Sequence, residues 1–124
     1  MAARILVVED NPLNLKLIRD VLRFQGYDVI TARSGEEGVA LATGDAPDLI
    51  LMDLQLPGIG GYEALELLRG DPRSQGVPVV AVTAFAMRDD RERAIAAGFD
   101  GYIAKPISII ALREQLAPFF TRRT

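Results

Sequence analysis

The chain of 124 residues contains no cysteine and no histidine. The first absence excludes disulfides, thiol nucleophiles and cysteine-based zinc sites. The second removes serine-histidine-aspartate and cysteine-histidine constellations, imidazole-ligated metals and any phosphohistidine on this chain. Chemistry must therefore rest on carboxylates, hydroxyls, amines and backbone groups. Long apolar runs are missing too: nothing approaches the roughly 20 residues that span a bilayer. The start Met1-Ala-Ala-Arg lacks the charged segment and apolar core of a secretory signal, so the cytosol is the expected compartment and no membrane insertion is expected. A dense basic patch is also absent. The 14 basic and 17 acidic side chains leave a net charge of −3, and beyond Arg122-Arg123 the cations are dispersed, which argues against direct nucleic-acid binding.

With 49% apolar and 25% charged residues, the composition is that of a folded protein, and the length fits one domain over residues 1–124. Short apolar runs alternate five times with stretches of helical period, the pattern of βαβ units around a parallel sheet. Strands are predicted at Ile5–Val8, Tyr27–Ala32, Leu49–Met52, Val79–Val82 and Gly101–Ala104. The runs at Ile5, Leu49 and Val79 are continuously apolar, as central strands covered on both faces should be, whereas the more polar Tyr27 run belongs at an edge.

Helix signals fall between them. Asn11-Pro12 supplies an N-cap and a first-turn proline, Leu17, Ile18, Val21 and Leu22 form an apolar stripe, and Gly26 ends the helix. Ser34 with Glu37 reads as a capping box closed at Gly44. A third helix follows Gly60-Gly61, a fourth runs from about Arg88 to Ala97 with Gly98 as its stop, and a fifth begins at Ser108. Pro118 is expected to end or kink that last helix. The predicted fold class is α/β: a doubly wound five-stranded parallel sheet, flavodoxin-like, in the order 2-1-3-4-5, with helices on both faces and ligands bound outside the carboxyl ends of the strands.

Polar residues mark those ends: Glu9-Asp10 after the first strand, Asp53 after the third, Thr83 after the fourth and Lys105 after the fifth. Each alone has a plain reading as a helix-start acid, a turn residue or a strand-end hydroxyl. Their joint occurrence at four strand ends points to a site. Clustered carboxylates repel unless a cation neutralises them, and Mg²⁺ suits an all-oxygen site that keeps several waters. A carboxylate can form an aspartyl-phosphate once the phosphoryl charge is neutralised, and Asp53 is the nucleophile of choice because it sits at the switch point and precedes Leu54-Gln55-Leu56-Pro57-Gly58, a loop able to turn back over the site. Lys105 can pair with Asp53 or a phosphoryl oxygen, Thr83 can donate to another, and the backbone carbonyl of Gln55 can add a metal ligand.

These residues resemble the receiver domains of bacterial two-component response regulators, of the single-domain type. The likeness runs from Ile5-Leu-Val-Val-Glu-Asp-Asn through Leu49-Ile-Leu-Met-Asp-Leu-Gln-Leu-Pro-Gly and Val79-Val-Ala-Val-Thr-Ala to Tyr102-Ile-Ala-Lys-Pro-Ile. The resemblance implies that Asp53 is the phosphoacceptor, Asp10 a direct Mg²⁺ ligand and Glu9 a nearby acid acting through water. It further implies that Lys105 binds the phosphoryl group and that Thr83 and Tyr102 form a coupled switch pair. The donor would be a phosphohistidine on a sensor histidine kinase or phosphotransfer protein. Output would pass to a protein target through the face of the fourth helix, fifth strand and fifth helix, since no effector domain follows in this sequence. Such a chain is a switched signalling module rather than an enzyme, although it assists its own phosphoryl transfer and slow dephosphorylation.

Three other readings fit less well. An aspartyl-phosphate phosphatase commonly has a second aspartate two residues after its nucleophile, where Gln55 stands and cannot transfer a proton. An FMN-binding protein wants a hydroxyl- and glycine-rich loop where Glu9-Asp10 would repel the phosphate. A receiver that binds partners without phosphorylation would not need the intact acidic set. The phosphorylated state is expected to be long-lived, with the Phe85 ring excluding the water that Gln55 would otherwise hold in line with phosphorus.

Overall fold

Apolar runs long enough for one pass through a sheet, each followed by a helix, dictate an alternating architecture. The computed structural model describes residues 3–84, 89–105 and 107–120, apart from the side chain of Ala111. Along them lie β1 (Arg4–Val8), α1 (Pro12–Phe24), β2 (Asp28–Ala32), α2 (Gly35–Asp45), β3 (Leu49–Asp53), α3 (Gly61–Arg69), β4 (Val79–Thr83), α4 (Asp90–Ala97), β5 (Gly101–Ala104) and α5 (Ile109–Phe120). All neighbouring strands are parallel, in the order β2-β1-β3-β4-β5. The order is the one expected, with β2 at an edge.

Successive side chains of a strand point to opposite faces, so each central strand feeds two cores. Leu6, Val8, Ile50, Met52, Val79 and Ala81 pack with residues of α2, α3 and α4. Ile5, Val7, Leu49, Leu51, Val80 and Val82 pack with Leu15, Ile18 and Leu22 of α1 and Leu112 and Leu116 of α5. Burial of each such side chain contributes about 1.5–3 kcal/mol, which fixes the register. Val8 stands beside Met52, Asp53 beside Val82, and Thr83 beside Ala104. Glu9 and Asp53 therefore leave the sheet at one level, with Thr83 and Lys105 stepping one residue further at each strand.

The caps follow their sequence signals, with instructive departures. Asn11 Oδ1 accepts from the amides of Leu13 at 3.0 Å and Asn14 at 3.1 Å, and Gly26 has φ of 98° just past α1. The buried stripe of α1 is Leu15, Ile18 and Leu22 rather than the expected set, because Leu17 lies on the flank, 53% exposed. Ser34 Oγ accepts from Glu37 N at 3.1 Å, while the Glu37 carboxylate reaches one residue beyond the box, to Arg33 N at 2.8 Å.

The end of α2 is also displaced: Gly44 stays within the helix, and Ala46, with φ of 47°, turns the chain out. Gly98, with φ of 116°, stops α4 as expected, whereas the expected start at Arg88 lies outside the described residues. Ser108 precedes α5 and its carbonyl accepts from Leu112 N, but Pro118 does not end the helix, which continues to Phe120. The proline removes one donor, and the rest of the described helix runs past it.

Gly44 offers a direct test. It is exposed, and a Cβ there would meet nothing within 4 Å. Gly44→Ala is expected to stabilise the protein by about 0.5–1 kcal/mol through lower unfolded-state entropy, raising the thermal midpoint by a few degrees. A midpoint at or below that of the unsubstituted protein would contradict the assignment of Gly44 to the helix.

Candidate functional site

The carboxyl ends of β1, β3, β4 and β5 meet where the crossovers diverge to opposite faces, and there the predicted polar residues converge. Glu9 and Asp53 are only 1% and 2% exposed. Lys105 joins them: its Nζ lies 2.6 Å from Glu9 Oε1 and donates to Asp53 Oδ2 at 2.9 Å. The remaining oxygens are held by backbone. Asn11 N donates to Glu9 Oε2 at 3.1 Å, and Gln55 N donates to Asp53 Oδ1 at 2.8 Å. Lys105 is itself placed by the bond from its amide to the Thr83 carbonyl at 2.7 Å.

Charge in this pocket is unbalanced. Carboxylate oxygens of Glu9, Asp10 and Asp53 lie within 4.8 Å of one another, facing one ammonium among the described residues, that of Lys105. Burial, and then a hydrogen bond shared with Asp53, hold the Glu9 carboxyl above its ordinary value. Burial works against the Lys105 ammonium, but its bonds to Glu9 and Asp53 outweigh it and raise its pKa. An anionic, all-oxygen group of this size fits a hard divalent cation, and the donor set suits Mg²⁺. The expected ligands Glu9, Asp10 and Asp53 are thus brought together. Glu9 is already engaged by Lys105, whereas the partly exposed Asp10 is more open to solvent. Gln55, whose carbonyl is the remaining expected ligand, lines the same pocket.

The other predicted residues are placed as follows. Thr83, fully buried, donates from Oγ1 to Gln55 Oε1 at 3.1 Å. Tyr102 is 9% exposed and belongs to the core cluster that contains Ala94 and Phe99. Its hydroxyl finds no hydrogen-bond partner among the described residues, and burial, then Asp90 and Tyr62, raise its pKa. Phe85, assigned to water exclusion, lies outside the described residues, as does Pro106. Two further groups reach the site without a signal in the sequence. Ala84 brings a backbone amide to Gln55 Oε1 at 3.4 Å, and Arg33 Nη2 lies 3.5 Å from the Asp10 carbonyl. A backbone donor has no residue signature, and Arg33 reaches the site only through the pairing of β2 with β1.

The family profile of the response regulator receiver domain matches residues 5–117, a span that contains this entire pocket. The chain belongs to that family. DivK, the polar-differentiation response regulator of Brucella ovis, is 49% identical over 119 residues, 96% of this chain and 97% of its own length. The DivK of Brucella anthropi is 48% identical over the same shares. Among solved structures, the receiver domain of a sensor histidine kinase from Pseudomonas aeruginosa PAO1 matches with a TM-score of 0.84 and 38% identity over 92% of this chain and 93% of that one. It carries a magnesium ion coordinated in its active-site cleft. The chemotaxis protein CheY4 of Vibrio cholerae matches with a TM-score of 0.89 and 25% identity over 97% and 100% of the two chains.

The receiver domain accordingly serves phosphorylation-based two-component signalling, and no helix among its described residues is long and apolar enough to cross a membrane. Its raised Glu9 pKa has a stability consequence with a definite sign. A carboxyl whose folded pKa is raised favours folding below its unfolded value and loses that contribution as pH rises through the folded value. With EDTA present, the melting midpoint is expected to rise as pH falls from neutral toward the ordinary Glu9 value of 4.5. Added Mg²⁺ is expected to stabilise more at neutral pH than at the acid end of that window. Scanning calorimetry at both pH values checks this; equal Mg²⁺ effects would contradict competition between proton and metal.

Proposed function

We propose that the receiver domain accepts a phosphoryl group on Asp53 from a phosphohistidine of a sensor histidine kinase or phosphotransfer protein, and that the adduct alters a protein-binding face. The observation that carries the reading is the buried Asp53 carboxylate, bonded to Lys105 within a group of three acids at the end of a central strand. The Asp53 oxygen forms a P–O bond as the P–N bond to the donor imidazole breaks. The electron pair goes to that nitrogen, which takes a proton from water. Lys105 passes from Asp53 Oδ2 to a phosphoryl oxygen, and the Thr83 hydroxyl donates to another. Glu9, Asp10, Asp53 and the Gln55 carbonyl would hold Mg²⁺, which when bound would supply positive charge to offset the phosphoryl oxygens.

A protein donor is favoured by the surface beside the pocket. An apolar groove lined by Leu17, Ile18 and Ile107 opens at Asn14, Ala84 and Lys105, and exposed Leu13, Ile109 and Ile110 lie on the adjoining helices. The cytosol, where ATP-dependent kinases make phosphohistidine, is the compartment assigned. On the output side, Tyr102 packs in one cluster with Ala94 of α4, which links the end of β4 to the face of α4, β5 and α5. With acetyl phosphate and Mg²⁺, the intact mass is expected to increase by one phosphoryl group, and excess EDTA to abolish the gain. Equal adduct in EDTA would overturn the metal-assisted reading. Amide NMR shifts of the adduct are expected to extend into α4 and β5; shifts confined to the pocket would overturn the output assignment.

A further inference from the structure

The side chain of Gln55 spans from the loop after β3 to the end of β4. There its Oε1 accepts from both Thr83 Oγ1 at 3.1 Å and Ala84 N at 3.4 Å. A backbone N–H needs an acceptor, so the amide oxygen, not the NH₂ group, faces Ala84. One neutral oxygen thus gathers a hydroxyl and an amide at the mouth of a pocket that Asp53, Lys105 and Ala84 line together. A phosphoryl oxygen on Asp53 would meet the same donors.

We propose that Gln55 Oε1 is an internal stand-in for a phosphoryl oxygen, engaging Thr83 and Ala84 before phosphorylation and yielding them to the charged group afterwards. The inference rests on Asp53 being the phosphoacceptor. The position of Tyr102 agrees with it: a Thr83 drawn toward the pocket would leave space into which the ring turns, and the ring is buried in the cluster of Ala94 and Phe99 while Thr83 Oγ1 bonds Gln55. Hydrogen bonds to an ionised oxygen are stronger than those to an amide, so the phosphoryl group displaces Gln55. The net gain is reduced by the bonds given up. Gln55 therefore populates the switched arrangement without phosphate and narrows the difference between the two forms.

Gln55 is exposed at the rim, so its side chain can be exchanged without disturbing the core. Gln55→Met keeps the length and removes the acceptor; Gln55→Glu keeps an acceptor and charges it. In the unphosphorylated protein without Mg²⁺, the Ala84 amide proton is expected to move upfield in Gln55→Met but not in Gln55→Glu. Tyr102 ring signals, assigned through their loss in Tyr102→Phe, should move toward solvent-exposed values in Gln55→Met. The buried-ring population should fall by roughly fivefold, the effect of losing a hydrogen bond of ordinary net strength. Unchanged Ala84 and Tyr102 signals in Gln55→Met, with a normal phosphoryl adduct from acetyl phosphate, would overturn the stand-in role alone. Failure of the unsubstituted protein to form any adduct would overturn the phosphoacceptor reading and this proposal with it.

Discussion

Asp53→Asn is expected to take up no detectable phosphoryl group from acetyl phosphate and Mg²⁺, read as intact mass. The substitution is nearly isosteric, so the fold is kept while the carboxylate proposed as nucleophile is replaced by an amide. Asp53 uses one oxygen to accept from Gln55 N and the other to accept from Lys105 Nζ. An asparagine can satisfy only one of these with its carbonyl, and its NH₂ then faces a second donor, at a cost of about 1–3 kcal/mol. Relief of repulsion within the acidic group offsets part of that cost. An adduct of undiminished yield in Asp53→Asn would transfer the phosphoacceptor role to another carboxylate.

Gly61→Ala is expected to destabilise the protein by about 1–3 kcal/mol, lowering the thermal midpoint by roughly 3–15 °C, and to slow phosphorylation as well. A Cβ at Gly61 would lie 2.8 Å from the Asp53 carbonyl oxygen and 2.9 Å from Leu54 Cα. Both neighbours are backbone, so relief requires movement of the chain that carries Asp53 rather than rotation of a side chain. Gly44→Ala, remote from the pocket and unobstructed, has the opposite expected sign and serves as the control. Calorimetry and the initial rate of adduct formation check the pair. An unchanged midpoint for Gly61→Ala would mean that the loop yields freely and that the close approach has no structural role.

The parts legible in the sequence were those set by pattern. Continuous apolar runs identified the central strands, the polar Tyr27 run marked an edge, and Asn11-Pro12 and Ser34 marked helix starts that the hydrogen bonds bear out. The acids and Lys105 were visible because they interrupt apolar strands at one end of the sheet. What was not legible depends on exact phase or on backbone. Leu17 and Leu15 exchange roles through the rotation of α1, which apolar composition alone does not determine. Ala46 ends α2 in place of Gly44 because a non-glycine residue there takes a left-handed conformation that propensity disfavours. The bond from Ala84 N to Gln55 joins a main-chain donor to a residue from another strand end, a relation that no spacing encodes.

The pairing of Lys105 with Glu9 and Asp53 also bears on how the chain is made. Synthesis runs from the amino terminus at about 5–20 residues per second, so the three acids leave the ribosome seconds ahead of their ammonium. Until β5 docks, bringing β1 beside β3 crowds like charges without the cation that offsets them. Docking of β5, the last of the described strands to emerge, thus supplies the ammonium that offsets the like charge gathered by the earlier pairings.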